Sequence, residues 1–181
     1  MKKNIWKLVA LMFAVFTSMT MTSCSDDNGG SSPDSPAKVE VKIGGYVNTE
    51  VFDYYSVVRT FDGKEEILNP SATIDQTYND KTYKLYDLTK SVTVIDCPKT
   101  ISISYSFKKK EGVTLPEKMD LVYKYGVEAT QYLNNGGKGK GRHDMNDGAN
   151  SGVKQENIEN RIQSIEKVMS QEFEIKKGFD F

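Results

Sequence analysis

The chain is predicted to fold as a mainly β domain, an antiparallel β-sandwich with immunoglobulin-like layering and one C-terminal amphipathic helix. Three observations predict it: repeated alternation of apolar and polar residues, turn residues recurring at hairpin spacing, and one stretch near the end whose apolar period is helical. A small barrel is the alternative, because the pattern carries no strand order.

Val39, Val41 and Ile43 alternate with Lys38, Glu40 and Lys42, which marks a strand with one dry and one wet face. Gly44 and Gly45 interrupt it. Val51 to Phe61 is rich in aromatic and β-branched residues, and Asp62-Gly63 separates it from Lys64 to Leu68, a dipeptide suited to a two-residue hairpin. Pro70 ends that segment. Lys81 to Leu88 follows a turn-forming Asn79-Asp80, and Val92 and Val94 precede a turn at Asp96-Cys97-Pro98-Lys99. Ile101, Ile103, Tyr105 and Phe107 then alternate with Ser102, Ser104, Ser106 and Lys108 in the clearest strand of the chain. Met119, Leu121, Tyr123 and Tyr125 alternate again, with Gly126 read as a bulge before Val127 to Leu133.

Organisation changes after Leu133. Residues 134–152 are rich in glycine, asparagine and charge and lack apolar anchors, so they are read as a mobile or binding loop. Ile158, Ile162, Ile165 and Met169 recur at helical spacing among Glu, Gln, Asn, Lys and Arg, the pattern of a helix laying one stripe on a sheet. Phe173, Ile175, Phe179 and Phe181 indicate a last strand returning to the core.

The N-terminus reads as an address. Lys2, Lys3 and Lys7 form a positive region, and Leu8 to Phe16 is apolar but shorter than the roughly 20 residues that cross a bilayer. Met21, Thr22, Ser23 and Cys24 follow, then Ser25, Asp26 and Asp27. These residues resemble a bacterial lipoprotein signal, although leucine and then glycine or alanine are the stronger choices where Met21 and Ser23 stand. The resemblance covers residues 1–27 and implies removal of residues 1–23, acylation of Cys24, and anchorage in the outer membrane. Ser25, Asp26 and Asp27 resemble the acidic export signal of bacteroidete-type surface-exposed lipoproteins, which implies display outside the cell. Several acyl chains, at about 0.8 kcal/mol per buried methylene, would hold the protein without a spanning helix. Asn28 to Ala37 has tether composition, so the organisation is a signal (1–23), a lipidated flexible tether (24–37) and a single domain (38–181).

Composition narrows the function classes. Losing three lysines with the signal takes the formal charge from −1 to −4, which disfavours nucleic acid as a partner. With Cys24 acylated, Cys97 has no disulfide partner, so a domain of roughly 145 residues depends on its own core. His143, the only histidine, sits in the glycine-rich segment, which disfavours both a Ser-His-Asp site and a zinc centre. Asp144, Asn146, Asp147 and Asn150 offer hard oxygen donors at the wrong spacing for an EF-hand. Lys138, Lys140 and Arg142, interleaved with glycine, lack the flanking strand and helix of a phosphate loop. Glu65 and Glu66 are adjacent and would point to opposite faces. No cofactor, metal or catalytic set is therefore assigned.

Tyrosines are the remaining signal. Tyr54, Tyr55, Tyr83 and Tyr86 are the candidate ligand-binding residues, because aromatic faces stack on sugar rings or grip a protein partner. Core or cross-strand packing is the commoner role of such residues in a sandwich. The preferred expectation is a noncatalytic cell-surface lipoprotein that binds an extracellular ligand or envelope partner, such as a glycan or another envelope protein. The alternatives are a structural adhesion or fimbria-associated subunit and a carboxylate-dependent glycan hydrolase.

Overall fold

The computed structural model describes residues 32–181. The signal segment, Cys24 and the export signal at Ser25, Asp26 and Asp27 lie outside the described residues. In chain order the elements are β1 (Pro36–Asn48), α1 (Val51–Tyr54), β2 (Tyr55–Phe61), β3 (Lys64–Ile67), β4 (Thr73–Tyr78), β5 (Lys81–Asp87) and β6 (Lys90–Val94). They continue with β7 (Lys99–Lys109), β8 (Lys118–Leu133), β9 (Lys138–Lys154), α2 (Gln155–Met169) and β10 (Gln171–Ile175).

All pairings are antiparallel and make two sheets, one ordered β4-β5-β1-β8-β9 with β6 also on β1, the other β10-β7-β2-β3. The inner faces meet in one core: Val39, Val41, Ile43, Leu121, Val127 and Ala129 from the first sheet face Val57, Ile101, Ile103, Tyr105 and Phe107 from the second. These are the alternating residues of the sequence pattern. Each large apolar side chain taken from water contributes about 1.5–3 kcal/mol. α2 packs against β7 of one sheet and β8 of the other, burying Ile158, Ile162, Ile165 and Met169 in the core, and Glu166 on the same helix accepts a hydrogen bond from the Phe107 N–H at 2.6 Å. The mainly β, sandwich-like architecture and its C-terminal helix are thus as the patterning predicts.

Both predicted dipeptide turns form. Asp62 and Gly63 have φ of 44° and 77°, and Asn79 and Asp80 have 48° and 64°, the left-handed pair that matches hairpin twist. A polar pin crosses the interior where the pattern predicts only apolar packing. Arg59 on β2 is 6% exposed, and it donates to the Leu88 carbonyl at 3.0 Å, the Thr89 carbonyl at 3.3 Å and the Glu66 carboxylate at 2.6 Å. Tyr105 donates to the same Leu88 carbonyl at 2.6 Å. Two side chains of the second sheet therefore hold the β5–β6 connection of the first.

Four expectations are corrected. The mobile loop at 134–152 is instead mostly β9, an edge strand paired with β8 from Lys154 opposite Lys118 to Lys138 opposite Tyr132. Its side chains are largely exposed, so backbone bonds hold it and no apolar alternation marks it in the sequence. Gly126 is not a bulge: the register of β8 against β9 shifts at Met119/Leu121 and Thr130/Tyr132. A Cβ on Gly126 would overlap the Asp144 carbonyl, so glycine there permits β9 to approach. Val51–Tyr54 is a helical turn and not strand, opened by N–H bonds from Phe52 to Thr49 and from Asp53 to Glu50 as the chain crosses between sheets. The tether is shorter than read, because β1 starts at Pro36 and the Asn134 and Asn135 N–H groups bond the Ser35 and Pro33 carbonyls.

Candidate functional site

The four candidate tyrosines do not form one exposed row. Tyr55 and Tyr83 are 2% and 7% exposed, whereas Tyr54 and Tyr86 are half-buried against the core. Tyr83 faces outward from the first sheet into a second small cluster with Leu85 and Val122, flanked by Tyr46, Ile74 and Tyr78. There its hydroxyl meets the Ser151 hydroxyl at 3.0 Å, and Lys81 lies over its ring while pairing with Asp120. These contacts lay the tip of the β4–β5 hairpin across β8 toward β9. Period-two alternation assigns an outward residue to solvent, and it does not foresee a hairpin folding back over that face.

Tyr55 and Tyr86 do come together. They line a cleft of about 260 Å³ whose walls are Phe52 from α1, Ile67 at the end of β3, Leu68 and Pro70 from the β3–β4 connection, and Lys110 after β7. The Phe52 and Tyr86 rings pack edge to face, with centroids 5.0 Å apart and planes at 74°. Lys110 is fixed at the rim, its Nζ donating to the Phe52 carbonyl at 2.7 Å and its N–H to the Tyr54 carbonyl at 2.9 Å. Tyr54 itself does not line the cleft; its carbonyl anchors Lys110 from behind. The Leu68 N–H bonds the Val57 carbonyl at 2.8 Å and shapes the opposite wall.

Two features suit the cleft to contact. Ile67 is 67% exposed, one of two large apolar side chains left so open among the described residues, and it stands on the cleft rim. The Tyr55 hydroxyl is buried with no hydrogen-bond partner among the described residues. Burial, and after it the charge of Glu159, pushes that hydroxyl up to about 12. Sequence reasoning missed Phe52, Ile67 and Lys110, which only the crossing at α1 and the β3–β4 connection bring beside Tyr86.

A larger concavity of about 740 Å³ lies between the end of β9 and α2. Neither concavity is lined by an Asp or Glu side chain. Among the described residues no three His, Cys, Asp or Glu side chains converge on a metal-sized point. His143 is exposed on β9 opposite Glu128, and Glu66 pairs with Arg59 across the hairpin, so neither takes part in a carboxylate or histidine constellation. Cys97 is a free thiol of intermediate burial.

No protein-family model, curated protein or solved structure matches the chain at a significant level.

Proposed function

We propose that the protein is a noncatalytic, cell-surface lipoprotein, anchored in the outer membrane through acylated Cys24, whose domain binds an extracellular glycan in the aromatic cleft. The cleft supports this reading: Tyr86 and Phe52 offer ring faces and edges, Ile67 extends an apolar rim, and Lys110 supplies a cation to a hydroxyl or acidic substituent. Such a surface suits a ligand with one apolar face and one polar edge, which describes a pyranose ring. The lining lacks the paired carboxylates that glycoside hydrolysis uses, which favours binding over the hydrolase alternative.

Glycan-array binding by the full chain, compared with Ile67→Ser and Tyr86→Ala, tests this. Ile67 is exposed enough for substitution to leave the fold intact, so retained circular dichroism with binding lost at least tenfold is the expected result. Unchanged binding in both variants would remove the cleft from the account. A second reading, the structural subunit, is favoured by one observation: β9 pairs with β8 alone and leaves a 17-residue strand edge open to a partner strand. Concentration-independent monomer mass, with no partner recovered by crosslinking on cells, would exclude it.

A further inference from the structure

The larger concavity differs in chemistry from the aromatic cleft and shares no residue with it. α2 buries its apolar stripe in the core, and the adjacent stripe, Asn157, Asn160, Arg161 and Ser164, faces the end of β9, where Asn150 and Lys154 complete the wall. This gives two cations, three carboxamides and no carboxylate. Among the described residues neither Lys154 nor Arg161 makes an ion pair, and the carboxamides of Asn150, Asn157 and Asn160 make no hydrogen bond. The groove therefore presents donors and acceptors whose needs the fold leaves to solvent or ligand. Asp120, whose carboxylate accepts the Gly152 N–H at 2.7 Å, is engaged by Lys81. The start of α2 lies beside Lys154 without a side-chain cap, with Glu156 in its first turn and the Gln155 N–H donating to the Glu117 carbonyl.

We propose that this groove binds an acidic oligosaccharide, a run of sugar hydroxyls bearing uronate or sulfate groups. Arg161 presents a planar fork matched to the two oxygens of a carboxylate or sulfate, and Lys154 adds a mobile point charge. Each asparagine both donates and accepts, as a pair of vicinal hydroxyls requires. A volume of about 740 Å³ falls within the roughly 300–1,000 Å³ of small-ligand sites. Nucleic acid is a poorer fit, since no aromatic side chain lines the groove for bases to stack on. A lipid surface fits poorly too, because Val153 is the one large apolar residue in the wall. The site is independent of the aromatic cleft, so either can fail alone.

Isothermal titration of the full chain in detergent, with a sulfated heparin tetrasaccharide, tetragalacturonate and neutral maltotetraose, tests it. At least one acidic tetrasaccharide is expected to bind; both carry uronates, so tighter binding of the heparin fragment assigns the preference to sulfate, and equal or tighter binding of tetragalacturonate assigns it to the carboxylate. Lys154→Gln with Arg161→Gln should weaken that binding by about tenfold or more. Asn157→Ala with Asn160→Ala should weaken it by a smaller factor, and Tyr86→Ala should leave it unchanged. All four groove residues are exposed, so circular dichroism should not change. Failure of both acidic probes to bind, equal binding of maltotetraose, indifference to the double charge substitution, or equal competition by single-stranded DNA or anionic vesicles would each overturn the assignment.

Discussion

Replacing Tyr55 by phenylalanine should make the domain more stable. The ring is 2% exposed and stays where it is, while the oxygen removed has no partner among the described residues. Burying a hydroxyl without a partner costs about 1–3 kcal/mol. The void left by one oxygen, roughly 10–15 Å³ at about 24 cal/mol per Å³, takes back only about 0.3 kcal/mol. The net gain is about 0.7–2.7 kcal/mol, which for a domain of this size is a Tm rise of about 1–11 °C. Urea unfolding at pH 7 followed by far-ultraviolet circular dichroism measures it, with the m-value unchanged. The sign is also legible in alkali. A folded-state hydroxyl held up to about 12, above its ordinary value near 10, adds stability that is complete below pH 10 and lost as the pH rises through 12. The wild type should therefore lose more stability than Tyr55→Phe over that window. A loss of 1 kcal/mol or more at pH 7 would refute the reasoning, because it would mean that the hydroxyl is hydrogen-bonded.

Three further outcomes are expected. Gly44→Ala should destabilise by about 2–4 kcal/mol in the same urea assay, since φ is +123° and the new Cβ would collide with the Tyr105 hydroxyl that holds the Leu88 carbonyl. Arg59→Ala should cost about 2–4 kcal/mol and Arg59→Met distinctly less, because methionine refills the volume of the buried stem while both remove the charge; equal costs would contradict the packing role. Cys24→Ser should shift the protein from the membrane to the soluble fraction and abolish surface labelling of intact cells, and unchanged fractionation would remove the acyl anchor.

Legibility differed by the kind of force involved. Where strands face the core, as from Val39 to Ile43 and from Ile101 to Phe107, alternation revealed it, and helical spacing revealed the α2 stripe from Ile158 to Met169. β9 was hidden because its order comes from backbone bonds to β8, and its glycines and exposed polar residues mimic a loop. Tyr83 was misread for a related reason: an outward position became interior once the β4–β5 hairpin folded over it. Arg59 was hidden because burial of a charge depends on carbonyls at Leu88 and Thr89, which nothing local in the sequence announces. Of the candidate site, Tyr55 and Tyr86 were named from composition, whereas Phe52, Ile67 and Lys110 meet them only through long-range topology.

Isoleucine-methyl NMR of the full chain, titrated with cellotetraose, chitotetraose and mannotetraose, tests glycan binding in the cleft most directly. Ile67 on the rim and Ile95 elsewhere are both 67% exposed, so the second serves as an internal control for nonspecific contact. The account predicts saturable shifts at Ile67 with at least one of these sugars while Ile95 stays still. Equal movement of both methyls, or no movement of Ile67 with any sugar, would contradict it.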